Sequence, residues 1–460
     1  MTSYILASTI STPLYGKLGD LYGRKKLFQS AIVIFLVGSI LCGLAQNMVE
    51  LIAFRGLQGL GAGGLMVGAF AIIGDVVPPR ERGRYIGYLG GVWAFASVTG
   101  PLLGGFIVDN LSWRWVFYVN VPVAAVALVI VAAVLPVSGA RVSHRIDFEG
   151  ALLLAASAAA ITLGLTWGGV QYAWGSTTIV GLFVGGTVLL VLFILQERRA
   201  AEPIIPLGLF RNAVFNVATA TGFIIGLALF GAITFLPLYM QVVHGVTPTS
   251  SGLRLLPLMA GVLSASILSG RLISKFGRYK VFPVVGTALT ALGMFLLSQL
   301  GPHTSFLLTY VYMAVLGVGL GFVMQVLILV VQNSVDYRNL GVATSTATFF
   351  RSMGGSFGVA IFGTIFANRL GHWLPRLVPH SVLAHTPPSQ LVHATPAQLM
   401  ALPPNVHEGL IDAISKSLNS VFLWATPVCV LAFVLTLFLR EVPLRGYEAS
   451  DPGITAAEAA

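Results

Sequence analysis

Apolar residues in this chain come in blocks long enough to cross a bilayer, separated by short polar turns. Runs of about 17–25 apolar residues fall at 3–16, 27–46, 50–76, 84–108, 113–135, 148–167, 176–195, 213–243, 251–273, 281–300, 305–333, 340–367 and 418–439. A spanning helix needs about 20 such residues at 1.5 Å rise each. The pattern therefore predicts about thirteen spanning helices and an all-α integral membrane fold.

The polar turns repeat. Gly16-Lys17-Leu18-Gly19-Asp20-Leu21-Tyr22-Gly23-Arg24-Lys25-Lys26 returns as Gly270-Arg271-Leu272-Ile273-Ser274-Lys275-Phe276-Gly277-Arg278-Tyr279-Lys280, with Gly, Leu, Gly, Arg and Lys at matching offsets. Duplicated halves are the mark of secondary transporters, in which two similar bundles rock about a central site. The runs at 148–167 and 176–195 have no counterpart in this scheme, and basic loops bracket them, so they read as an inserted helical pair. The expected organisation is a first bundle over 1–136, an inserted pair over 137–205, a second bundle over 206–445 and a cytoplasmic tail over 446–460. One long external loop is expected over 369–417.

Composition agrees: 56% of the 460 residues are hydrophobic, 9% are charged, and mean hydropathy is +0.88. Soluble domains carry about 25% charged residues. The net charge of +10 does not point to nucleic acid, because the basic residues sit in loops between spans rather than on one exposed face. With the first turn placed inside, nineteen of the 26 basic residues fall on the cytoplasmic side. Only Arg114, Arg369, Arg376 and Lys416 fall outside, while Arg55, Arg254 and Arg351 lie within spans. This asymmetry orients the chain with its C-terminus in the cytoplasm. Cys42 and Cys429 lie in apolar runs and read as small buried side chains. The histidines of the long loop, His372, His380, His385, His393 and His407, read as polar filler rather than a metal site.

Gly59-Leu60-Gly61-Ala62-Gly63-Gly64 meets the glycine spacing of a dinucleotide site, but it lies inside a spanning run with no strand before it. Small residues at this spacing let membrane helices approach closely. No Walker A sequence occurs, and nothing points to an enzyme or a bound cofactor. Arg55, with Gln58 one turn on, and Arg351 lie inside spans, where a charge is expensive and functional by default. Arg254 lies within a turn of a span boundary and reads as interfacial. Gly100-Pro101, followed by Gly104-Gly105, predicts a break or kink in its helix.

These motifs together resemble the major facilitator superfamily, in particular its fourteen-span drug:proton antiporter group (EmrB/QacA type). The resemblance rests on Gly16–Lys26, on Leu51-x-x-x-Arg55-x-x-Gln58-Gly59-x-Gly61-Ala62, and on Gly100-Pro101-x-x-Gly104-Gly105, with Ala96 where glycine is usual. Trp113–Pro122 and Phe350–Gly355 extend it over nearly the whole chain. It implies two six-helix bundles that export amphipathic, often cationic compounds across the bacterial inner membrane by alternating access, driven by the proton gradient. By resemblance, Gly16, Asp20, Gly23, Arg24 and Asp75 form a conformational latch, with Asp20 at the start of the span near Leu340 and Arg24 paired to Asp75. Ser274 replaces the aspartate in the second copy, so the latch is one-sided. Arg55 and Gln58 are assigned to proton coupling, and Gly100, Pro101, Gly104 and Gly105 to exchange without leak.

Trp93, Phe95, Phe223, Phe230, Tyr239, Gln325, Phe349 and Arg351 are the candidates for lining a substrate cavity. Small-molecule substrates, protons and lipid are the implied partners, with a periplasmic adaptor protein as a further candidate. Export of a lipid or specific metabolite, and a non-transporting scaffold or sensor, stay open beside drug efflux. None of the 16 acidic residues falls near a span centre, and the first run opens as though a second span were under way. The resemblance places a membrane aspartate on its first span, so one span of about 20 apolar residues is expected ahead of this sequence, and weak activity without it.

Overall fold

A computed structural model of the protein describes residues 2–135, 147–169, 171–379 and 403–444. Thirteen long helices make up the described residues: α1 (Thr2–Tyr22), α2 (Arg24–Leu44), α3 (Met48–Val76), α4 (Pro79–Asn110), α6 (Asn120–Val134), α7 (Phe148–Trp167), α8 (Thr177–Glu197), α9 (Ala213–Leu238), α11 (Leu256–Phe276), α12 (Val281–Leu297), α13 (Phe306–Ser334), α14 (Leu340–Leu377) and α15 (Pro404–Leu437). Two short helices, α5 (Trp115–Tyr118) and α10 (Pro248–Leu253), lead into α6 and α11. They correspond one for one to the thirteen apolar runs. Ten segments are long and apolar enough to cross a membrane on composition alone. α12, at 17 residues, is apolar but short, and α1 and α4 fall below that level; both of these turn small and polar residues toward the opposite half of the protein.

Local chemistry sets the ends. Asn47, Ser176, Asn212 and Ser305 cap α3, α8, α9 and α13 by accepting from backbone N–H groups that lack a helical partner. Gly23 and Gly277, equivalent in the repeat, both take positive φ (89° and 73°), which a side chain would resist.

The repeat is spatial as well as sequential. α1, α2, α3, α4 and α6 match α11, α12, α13, α14 and α15 in order. α3 is clasped by its neighbours through its glycines: Gly59 and Gly63 lie on the Tyr4 and Ser8 carbonyls of α1, and Gly61 and Gly64 lie on α2 at Phe35 and Ala31. Backbone contact of this kind, rather than a nucleotide site, is what the glycine run builds. α1 meets α14 and α4 meets α11 across the two halves. Gly16 faces Gly341 and Ser345, and its repeat mate Gly270 faces the Gly83 carbonyl.

Among the described residues α9 has no counterpart in the first half. It packs against α14, α15 and α13, whereas α6 packs mainly on α2, and the equivalent face of α4 stays bare. Leu103 and Phe106 are exposed there, and Cβ atoms at Gly100, Gly104 or Gly105 would meet nothing within 4 Å. α7 lies along α1 and α14 with α8 packed on it, and the pair buries Leu154, Ala158 and Phe193 with Phe349 and Met353. Glu197 closes this pair: buried at the end of α8, it accepts from the Ile204 and Ile205 N–H groups at 3.0 and 3.3 Å.

Two expectations change. The external loop expected over 369–417 is shorter, because α14 runs on to Leu377 and α15 begins at Pro404. Leu370 and Leu374 bury against Val406, Leu410, Ala413 and Ile414 at helical spacing, and Gly409 lets α15 approach the Leu377 carbonyl. His380, His385 and His393 lie outside the described residues, as do 445–460. The break expected at Gly100-Pro101 is absent, since α4 is continuous from Pro79 to Asn110.

A Cβ at Gly61 would overlap the α2 backbone at Phe35 and Ala31. Gly61→Val is therefore expected to lose about 1–3 kcal/mol, seen as a lower midpoint for thermal unfolding of purified protein, while Gly56→Ala, with open space around it, leaves the midpoint nearly unchanged.

Candidate functional site at the seam between the halves

Asp20 lies one turn from the end of α1, and its side chain is 6% exposed. Its Oδ1 accepts from the Gly341 N–H at 3.0 Å and its Oδ2 from the Val342 N–H at 2.8 Å. These are the first donors of α14, which have no carbonyl partner within their own helix. A carboxylate there meets both the free N–H groups and the positive end of the helix dipole.

Arg24 bonds Asp20 at 3.0 Å and Asp75 of α3 at 2.8 Å, and it donates to the Ala71 carbonyl. A chain of opposite charges thus runs from α3 through Arg24 and Asp20 to the start of α14. Gln332 of α13 adds a second tie, donating to the Phe70 carbonyl of α3 at 3.1 Å and to Thr344 Oγ1 at 3.2 Å. Both halves are held together at this end of the bundle.

Gly341 and Gln332 were not singled out from the sequence. A Cβ on Gly341 would overlap the Asp20 carboxylate and lie 2.8 Å from the Gly16 carbonyl. The signal was a glycine in the first turn of a span. In the second copy, Ser274 turns back to the Gly270 carbonyl of its own helix at 3.0 Å. The charged contact is therefore made by the first copy.

Arg55 sits in a separate network inside the first half. Its Nη1 donates to Gln58 Oε1 at 2.6 Å, and its guanidinium stacks 4.1 Å from the Tyr4 ring. Gln58 donates to Ser39 Oγ at 2.9 Å, Asn120 donates to the same oxygen at 3.0 Å, and Ser39 donates to the Phe117 carbonyl. Five elements of the first half, α1, α2, α3, α5 and α6, are tied by this one cluster. Arg254 lies over the Phe306 ring at 3.9 Å and donates to Tyr310 Oη at 2.9 Å.

The cavity candidates do not converge on one place. Trp93 of α4 packs against the second-half core, and Gln325 of α13 lies buried against Gly90 of α4, so both are at the seam. Phe223 and Phe230 of α9 lie on Gly354 and Gly355 of α14. Arg351 is also on α14, deep among the helices. Phe95 is 66% exposed on the bare face of α4. Tyr239 is fully buried and donates to the Gly301 carbonyl at 2.8 Å. Phe349 packs against the inserted pair. A search by residue type finds aromatics in spans, but only packing shows which of them face the seam.

Eleven long helices in two related bundles, joined through α1–α14 and α4–α11 and accompanied by the α7–α8 pair, define a polytopic helical membrane protein. The chain belongs to the Major Facilitator Superfamily, which it matches over residues 1–359. It is 46% identical over 445 residues to an uncharacterized MFS-type transporter of Mycobacterium tuberculosis, covering 96% of this chain and 64% of that protein. The chain thus spans just under two thirds of that relative's length. It is 37% identical over 474 residues to the multidrug transporter protein MdtP of Bacillus subtilis, covering 98% of this chain and 87% of the relative. The structure of the proton:xylose symporter XylE superposes with a TM-score of 0.62 at 16% identity, over 96% of this chain and 86% of that one; the likeness is one of fold.

Charge-assisted hydrogen bonds of the Asp20 kind contribute about 1.5–3 kcal/mol each. Asp20→Asn keeps the shape but removes the charge, and is expected to open the α1–α14 contact without loss of abundance. A cysteine replacing Ser345, which is buried against Gly16, would then react with a maleimide at least about tenfold faster; an unchanged rate would mean the contact does not depend on the carboxylate.

Proposed function

We propose that the protein is a proton-coupled drug antiporter of the fourteen-span group, exporting amphipathic compounds from the cytoplasm by alternating access. The observation that carries this reading is the Asp20–α14 contact. It ties α1 to the start of α14 through a few polar bonds to a helix terminus, so it can form and break as a unit. Under the positive-inside distribution that end is cytoplasmic, which makes the described state outward-facing and puts the C-terminus inside a bacterial inner membrane. Relatives named for multidrug transport and multidrug resistance support the substrate class. Arg55 and Gln58 are the proposed coupling pair, and a periplasmic adaptor remains a proposed partner.

Efflux of a fluorescent amphipathic drug from cells making the protein, abolished by collapsing the proton gradient, is the direct test. Asp20→Asn is expected to lose most efflux at matched abundance, and normal efflux would remove the latch from this reading. Arg55→Ala is expected to bind drug but no longer respond to the gradient. If gradient collapse still tracks drug movement in that variant, Arg55 serves the Gln58–Ser39 network alone.

A further inference from the structure

The seam contains a cation that no group among the described residues neutralises. Arg351 lies eleven residues beyond Leu340 in α14, about 16 Å along the helix at 1.5 Å per residue, which places it near the middle of a bilayer about 30 Å thick. Helical periodicity puts Thr344, Thr348 and Gly355 on the same stripe. On one flank of that stripe, Gly354 and Gly358 press on the Phe223 and Leu227 carbonyls of α9. On the other, Gly341 and Ser345 press on α1 at Gly16. The Arg351 stem lies over Gly226 of α9, so the side chain projects into the gap between α9 of one half and α1 of the other.

Arg351 is half-buried, and among the described residues no carboxylate, carbonyl or hydroxyl accepts a hydrogen bond from it. Arg55 shows the alternative, since Gln58 and Tyr4 enclose it. The nearby buried carboxylates are already engaged: Asp20 and Asp75 hold Arg24, and Glu197 holds two backbone N–H groups. A guanidinium keeps its proton in proteins, so it cannot escape the cost of burial by becoming neutral.

α1 brings a second free polar group to the same depth. Gly16 and Ser345 are in contact, and α1 and α14 run antiparallel from there. Thr9 is two turns along α1 on the Gly16 stripe, about 10 Å away, and Arg351 is about 9 Å along α14 from Ser345. Ser11 and Thr12 both donate to the Ser8 carbonyl, the usual resting place for a helical hydroxyl. Thr9 is buried at 5% exposure, and among the described residues its hydroxyl makes no hydrogen bond. One turn beyond Arg351, the half-exposed Phe230 ring lies on Gly355 and offers an apolar wall.

We infer that Arg351 and Thr9 form an anion subsite in the translocation path, taking the carboxylate of an amphipathic substrate whose apolar part lies along Phe230. This rests on the export reading above and reverses the cationic preference implied by the family resemblance. Charge-assisted bonds to guanidinium are strong and directional, so headgroup charge decides binding.

Three probes with one tail test it: a dansyl-labelled undecanoic acid, its uncharged amide, and the matching quaternary amine. Purified protein in detergent is expected to bind the acid at least about tenfold more tightly than the amide, and the amine most weakly. Arg351→Gln is expected to erase the acid-over-amide preference while leaving amide affinity unchanged, Arg351→Lys to retain part of it, and Thr9→Val to reduce it. Wild type that binds acid and amide equally, binds the amine best, or binds none of the three overturns the subsite, as does an Arg351→Gln protein that keeps the preference. Vesicle transport separates the two readings. Charge-selective binding without movement of any probe leaves the subsite and removes export; gradient-driven movement of the amine and amide but not the acid leaves export and removes the subsite.

Discussion

The bond between the Asp20 carboxylate and the first N–H groups of α14 is the interaction on which the two-bundle arrangement turns. Helix termini leave donors that water would satisfy outside a membrane protein and that must find acceptors within one. Here the acceptor comes from the other half of the chain. The close approach depends on Gly16 and Gly341 lying face to face, and Arg24 fixes the carboxylate while bonding Asp75 at the same time. Because these groups are small, polar and near the end of the bundle, water can replace every bond when the halves part. An apolar contact of similar area would have no such substitute and would resist opening.

The two halves divide the work unequally. The first supplies the charged latch and the closed Arg55–Gln58–Ser39 cluster, which fastens its own helices together. The second supplies α9, whose glycines admit α14 so closely that Arg351 is carried to the seam. Among the described residues no first-half helix matches α9, and the Gly100–Gly105 stretch of α4, with its small residues, faces open space. A repeated sequence therefore does not imply repeated surroundings. Ser274 occupies the place of Asp20 and simply bonds its own helix.

Interior arginines in this chain fall into two physical situations. Arg55 is enclosed by a side-chain carbonyl oxygen and an aromatic face, so its charge is absorbed by the protein itself. Arg351 has its stem packed against Gly226, and its head bonds no group among the described residues. The inserted helix α7, backed by α8, lies against α1 and α14 and buries Phe349 and Met353, which keeps one flank of α14 dry and leaves the seam as the side open to Arg351.

Much of this was legible in the amino-acid order, because a bilayer accepts few solutions. Apolar run length fixed the thirteen helices, the loop arginines and lysines their expected orientation, and the recurring Gly-x-Leu and Gly-Arg words the duplication. The glycines at 59, 61, 63 and 64 announced close helix contact, though not that they alternate between α1 and α2. What the sequence left open was decided by packing between distant elements. Periodicity could not show that α14 and α15 extend past their apolar runs, since the residues that hold them, such as Leu374 and Leu410, are buried only against one another. Nor could it separate Phe349, Tyr239 and Phe95 from Phe230, because an aromatic in a span looks the same whether it meets a neighbour, lipid or the seam. The difference between Arg55 and Arg351 lies in which groups three-dimensional folding brings within hydrogen-bonding reach, and that is a property of helix crossings rather than of residue order.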